Sequence, residues 1–480
     1  MAKLKNIIKQ LSAEDYQAIF QSLMNNSAEK SAYLLRFMRE KQLSDTKIMA
    51  ELEVNNNAYY TLRSRLNQKI EEYLLQQMES PRTDLLKKVA NINEVIFTKK
   101  RAISVATLKK LEKELLDYDL SNELTIVYKT LKKLHINTPE AFSYSQLYNK
   151  HVAYMLAVDK AEDLLSEYFR KYGIYTLSGS EIEKLELTLL NKEMGNVARL
   201  YESHRLKVYK SCLSIFHRLF VEESESEKDD DDPIEDILAD VEHIFNQYDS
   251  DTIYYHLRLL FEFLKLEYYT HYKVYKKAEK FFDEVNDAAS TLLTNYSLYT
   301  YPAQFLFTKI QRHIRMETEE QIYEENEGLF QDYEADINDL PKFVSYITYR
   351  AVACYYVKKY DEAAKWLNNL LNELSLKKYP QAQLEIKMLL ALQYTVVKDH
   401  ELFGQLLNSI QRQIRILGKD ESESADLFIK ILKAAMNEGK QGKAAKIKSL
   451  IDKLRNAKQP IFSIVRFIKM DDSFVETLVS

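Results

Sequence analysis

The chain has 480 residues, with 67 basic and 72 acidic side chains giving a net charge of −5. That balance provides no global attraction to nucleic acid or anionic membrane. It holds 8 Gly and 7 Pro, where average usage would supply about 34 and about 24; so few turn residues argue against all-β folds and most nucleotide-binding α/β folds. An all-α protein remains. At roughly 150 residues per domain the length suggests about three domains, unless the chain is a repeat array. Cys212 and Cys354 both sit in apolar helical patterns. There a free Cys acts as a small hydrophobe, so a reduced, cytoplasmic protein is expected over a disulfide. Neither a secretory signal nor a membrane-spanning run is expected.

In chain order, residues 1–80 predict helices over 28–41, 44–53 and 55–77 joined by very short turns. Ser44 or Asp45 would cap the second and the Asn55–Asn57 run the third. On the third helix Tyr59, Leu62, Leu66, Ile70 and Tyr73 form the apolar centre, and Asn57 and Tyr60 lie on the outer face. Arg63 and Arg65 fall on opposite edges. This short–turn–long arrangement resembles a helix-turn-helix or winged-helix unit, which implies Asn57, Tyr60, Arg63 and Arg65 as DNA contacts. Against that, the segment carries 11 basic and 10 acidic side chains, and a DNA reader brings a basic surround. A structural three-helix cap is the preferred reading.

Residues 81–221 read as irregular helix pairs over 104–117 with 121–135 and 140–156 with 160–172. Gly173 is expected to end a helix. Residues 180–220 then form one or two helices interrupted near Gly195, with Ser180 and Glu183 as a capping box. The run EESESEKDDDD over 222–232, followed by Pro233, is too densely charged to pack and reads as a solvated acidic loop. It lacks the spaced ligands of a calcium loop.

Residues 234–480 carry a repeat. Tyr275–Lys276–Lys277–Ala278 and Tyr360–Asp361–Glu362–Ala363 each open a helix with a small Ala three residues after a Tyr. Phe403 and Ala444 mark weaker copies. Positions 363, 403 and 444 are 40 and 41 apart, and 278 precedes 363 by 85. A fixed period with helical patterning indicates stacked helical hairpins. First helices are expected over 253–268, 343–358, 381–397 and 424–437, and a terminal helix over 461–478. The stretch Tyr360-Asp361-Glu362-Ala363-Ala364-Lys365-Trp366-Leu367 resembles the second helix of a tetratricopeptide repeat, although Ala351 stands for that family's first-helix Gly. The resemblance implies a right-handed α-α superhelix that binds protein or peptide on its concave face without catalysis.

The sequence offers little chemistry. It has no HExxH, CxxC or GxSxG, and Gly439-Lys440-Gln441-Gly442-Lys443 lacks the order of a phosphate loop. No metal or cofactor is expected. Tyr255, Tyr269, Tyr272, Tyr301, Tyr349 and Tyr356 are the candidate partner contacts, because aromatic side chains dominate binding hot spots. The alternative is that these tyrosines pack between repeats. The expected function is a non-enzymatic protein- or peptide-binding scaffold. A transcriptional regulator with an N-terminal DNA-binding unit is the second possibility.

Overall fold

The computed structural model describes residues 4, 8, 11–26, 28–40, 45–77, 81–222, 232–248, 254–295, 301–330, 336–418, 422–437 and 442–479. Every regular element among them is helical. None of these helices is long and apolar enough to cross a membrane. The chain divides into two compact units, 1–141 with 250–252, and 142–249 with 253–480.

In the first unit, α1 (Ala13–Asn25), α2 (Glu29–Arg39), α3 (Asp45–Glu51) and α4 (Asn56–Gln77) share one apolar core. Tyr59, Leu66 and Ile70 of α4 are buried in it, as the wheel predicts. The Asn55 side chain caps α4 by accepting from Ala58 N at 2.9 Å. Helix α1 is an addition to the expected trio; it is capped by Ser12, which accepts from Asp15 N at 3.0 Å. A second group follows, comprising α5 (Pro81–Ala90), α6 (Ile92–Thr98), α7 (Arg101–Asp117) and α8 (Ser121–Leu134). Leu108, Leu111, Leu115, Val127 and Leu131 join the last two as a hairpin.

The second unit opens with α9 (Glu140–Ser178), which corrects the expected pair. Gly173 does not stop it. A Cβ at Gly173 would come within 3.0 Å of Pro341 Cβ, so glycine is needed there for close helix approach rather than for a turn. Helices α10 (Glu181–Arg199) and α11 (His204–Phe220) follow, parted at 200–203 rather than at Gly195. Ser180 caps α10 through Ile182 N at 3.2 Å. The acidic run lies, apart from its two ends, outside the described residues.

After α12 (Ile234–Gln247), hairpin partners pack in succession. They are α13 (Tyr255–His271) with α14 (Tyr275–Asn295), α18 (Leu340–Tyr356) with α19 (Tyr360–Glu373), α20 (Pro380–Val397) with α21 (His400–Leu417), and α22 (Glu423–Met436) with α23 (Lys443–Asn456). Between the first two pairs lie α15 (Tyr301–Met316) and the short α16 (Gln321–Glu324) and α17 (Asn326–Phe330). Ala278 and Ala363 are fully buried where their helices cross, whereas Ala444 is exposed and Ile447 takes the buried place.

One turn joins most of these pairs. The six non-Gly residues at positive φ among those described are Glu53, Asp119, Lys273, Glu317, Lys358 and Lys398, at 48° to 61°. All but Glu317 make the same two bonds, as at Lys358 N to Tyr355 O (3.0 Å) and Lys359 N to Cys354 O (2.9 Å). This is the Schellman closure, usually built on Gly.

The C-terminal region departs from expectation. No helix runs over 461–478. Ser463 and Ile468 are extended, a single 3-10 turn spans Ile464–Phe467, and only α24 (Asp472–Val479) is helical.

Candidate functional site

The irregular stretch 460–471 lies against the first helices of the second unit, and its backbone is gripped by their side chains. The Tyr356 hydroxyl donates to Phe467 O at 2.9 Å and accepts from Lys469 N at 3.0 Å. One phenol thus clamps both sides of the extended Ile468. On α20, Glu385 accepts from Ile464 N at 2.9 Å and from Gln381 at 3.2 Å. Phe462, Ile464, Phe467 and Ile468 are buried. The Phe467 ring stacks on Phe307 of α15, with centroids 4.6 Å apart, and Phe462 meets the same ring at 5.9 Å.

Charge organises the rest. Glu385 is fully buried, and burial pushes its carboxyl from 4.5 up to about 7, against the Ile464 N–H, Gln381, Arg466 and Ser463. Arg466 keeps contact with solvent, yet the surrounding walls desolvate its guanidinium and lower its pKa, opposed by Glu385 and Tyr172. Glu267 on α13 accepts from Thr308 at 2.5 Å, and desolvation likewise raises it to about 7. Lys469 pairs with Glu319 at 2.9 Å, tying the segment to the turn after α15.

Phe307 also lines an adjoining open pocket with a volume of about 970 Å³. Its walls come from α9, α15 and the start of α18, brought together where Gly173 meets Pro341. The lining is mixed: Phe169, Ile174 and Phe307 are apolar, while Lys160, Asp163, Glu167, Arg170, Asp339 and Lys342 carry charge. Asp339 caps α18 through Lys342 N at 3.4 Å.

The tyrosines chosen from sequence do not converge on this groove. Tyr356 is part of it, but its hydroxyl is already engaged. Tyr349 is corrected outright: it has no exposed surface and packs edge-on to Phe330 at 5.7 Å, so it cannot touch a partner. Tyr269 is half-buried, stacked on Phe281 at 5.8 Å. Tyr272 is exposed beside Tyr268 and His271. The side chains of Tyr255, Tyr301 and Asn57 lie outside the described ones. In the first unit Tyr60 and Arg65 are exposed and Arg63 is half-buried.

Sequence reasoning missed Phe307, Glu385, Arg466 and Phe467. Glu385 had a signal, a lone carboxylate inside a strongly apolar helix. Among the described residues, no group of three or more His, Cys, Asp or Glu is placed to hold a metal ion. Comparison of the chain with protein-family models, with curated proteins and with solved structures finds no match.

Proposed function

We propose that the chain is a non-enzymatic binding protein that takes a protein or peptide segment in extended conformation along the groove beside α9, α15, α18 and α20. In a tetratricopeptide-like right-handed superhelix these first helices would line the concave face. The observation that carries the reading is the stretch 460–471 itself. A backbone with little regular structure is held there by side-chain hydrogen bonds and apolar sockets, the chemistry of peptide recognition. The open half beyond Phe307 has the size of a ligand cleft. The test is partner capture from the native cell with the intact chain and with Gln304→Trp, which places a large ring in the open half. A partner recovered equally by both would sink the reading.

The second reading, duplex DNA binding by the first unit, draws on the exposed Tyr60 and Arg65 of α4. Its near-neutral charge count weighs against it. A gel shift at low salt with no retarded duplex would remove it.

A further inference from the structure

We propose that residues 460–471 are a displaceable occupant of the groove, and that the partner is an extended peptide of like chemistry, an arginine flanked by aliphatic and aromatic residues. The inference deepens the binding reading above and rests on it.

Three observations point the same way. First, the grip is on main chain. Tyr356 and Glu385 satisfy the N–H and C=O groups of residues 464, 467 and 469, so another extended chain meets the same donors and acceptors. Second, the side-chain sockets have a definite character. Phe307 receives an aromatic ring, while Arg466 lies within electrostatic reach of Glu385 and Lys469 pairs with Glu319. A cationic, apolar peptide satisfies these groups; an acidic one places carboxylate against carboxylate. Third, an open pocket adjoins the segment's socket at Phe307. Phe307 touches Phe467 on one side and lines the open volume on the other. An incoming peptide therefore has a place to land beside the resident segment before replacing it.

Tethering makes the resident segment a strong competitor. A short connector holds it at an effective concentration of about millimolar, so a free peptide binds weakly until the tether's hold is weakened.

The probe is a fluorescein-labelled peptide of residues 459–471, QPIFSIVRFIKMD, followed by anisotropy against the full chain. Wild type should bind it weakly, and Phe467→Ala in the full chain at least tenfold more tightly. Arg466 keeps contact with solvent and fills no apolar socket, so Arg466→Glu, which sets a carboxylate near Glu385, loosens the segment without opening a cavity and serves where Phe467→Ala disturbs folding. A peptide carrying Arg466→Glu should lose at least tenfold. The proposal is overturned if either variant, folded by circular dichroism, binds the peptide no better than wild type, or if the Arg466→Glu peptide binds equally. A concentration-dependent dimer formed in place of peptide binding also overturns it, by assigning the groove to a second copy. Loss of partner capture in Gln304→Trp without peptide exchange would leave the binding reading standing and the displaceable segment refuted. Peptide exchange with capture indifferent to Gln304→Trp would separate the two in the other direction.

Discussion

The two halves of the groove share α15 and α18 yet differ in kind. Under residues 461–469 the surface is largely apolar and closed, with one buried carboxylate and one phenol gripping the segment's backbone and Glu319 pairing with Lys469 at its end. Beyond Phe307 it is wide and carries seven charged side chains. The closed half depends on a segment of the chain itself for its cover, whereas the open half has no such cover, although burial still desolvates Asp339 and Lys342 at its edge. The contrast teaches that burial in a helical array is not set by the helices alone. A short irregular strand decides which stretch of their faces becomes core.

The comparison can be broken from either side. The largest effect is expected from Phe467→Ala, which empties the socket on Phe307. Burial of this size is worth about 3–5 kcal/mol on truncation, and the loss should appear as faster amide exchange at 463–469 with slower-exchanging helices unchanged. Slow exchange throughout the segment would show that the ring does not hold it.

Next is pH. Glu385 is held near 7 in the fold against 4.5 when free, so between those values the unfolded chain releases a proton that the folded chain retains. Stability therefore falls as pH rises from 4.5 to 7, by on the order of 3 kcal/mol for this group, and levels off above. Glu267 shifts in the same direction. Denaturation midpoints across this window should fall more steeply in wild type than in Glu385→Gln; parallel curves would refute the assignment.

In the open half, Gly173→Val drives a branched side chain into Pro341 and should cost about 2 kcal/mol by forcing α9 and α18 apart. Urea denaturation measures it, and an unchanged midpoint would mean that the helices part without cost. Tyr356→Phe, which removes two hydrogen bonds to the segment, should cost about 1–2 kcal/mol, visible as increased proteolysis after Arg466.

The hairpins were legible in the sequence because their apolar residues recur at helical spacing and the second-helix markers at 363, 403 and 444 lie 40 and 41 residues apart. The covered half was not. Ile461-Phe462-Ser463-Ile464-Val465-Arg466-Phe467-Ile468 is apolar at nearly every position, so it carries no period, and its length fits a helix as well as an extended strand. Its β-branched and aromatic content was the available hint of extension. Gly173 misled for a related reason: a glycine after a helical stretch reads as a stop, and only the distant Pro341 shows it to be a contact. Tyr349 and Tyr356 stand on one helix, but Tyr349 is met by Phe330 of a preceding element and Tyr356 by the backbone of Phe467, 111 residues further on, and neither neighbour can be read from the helix itself.

The hairpin turns have a thermodynamic consequence. Among the described residues, Lys, Glu or Asp occupies the left-handed position in five such closures, each with a side-chain clash that glycine lacks. Lys358→Gly should raise stability by about 0.5–1 kcal/mol, read as a higher melting midpoint. Four such exchanges, sparing Lys398, whose Nζ donates to Leu478 O at 2.7 Å, would add about 2–4 kcal/mol, a sizeable part of the 5–15 kcal/mol that typically separates folded from unfolded chains. The hairpin turns thus hold unused headroom, and an engineer could harden the chain one hinge at a time without altering a single helix face.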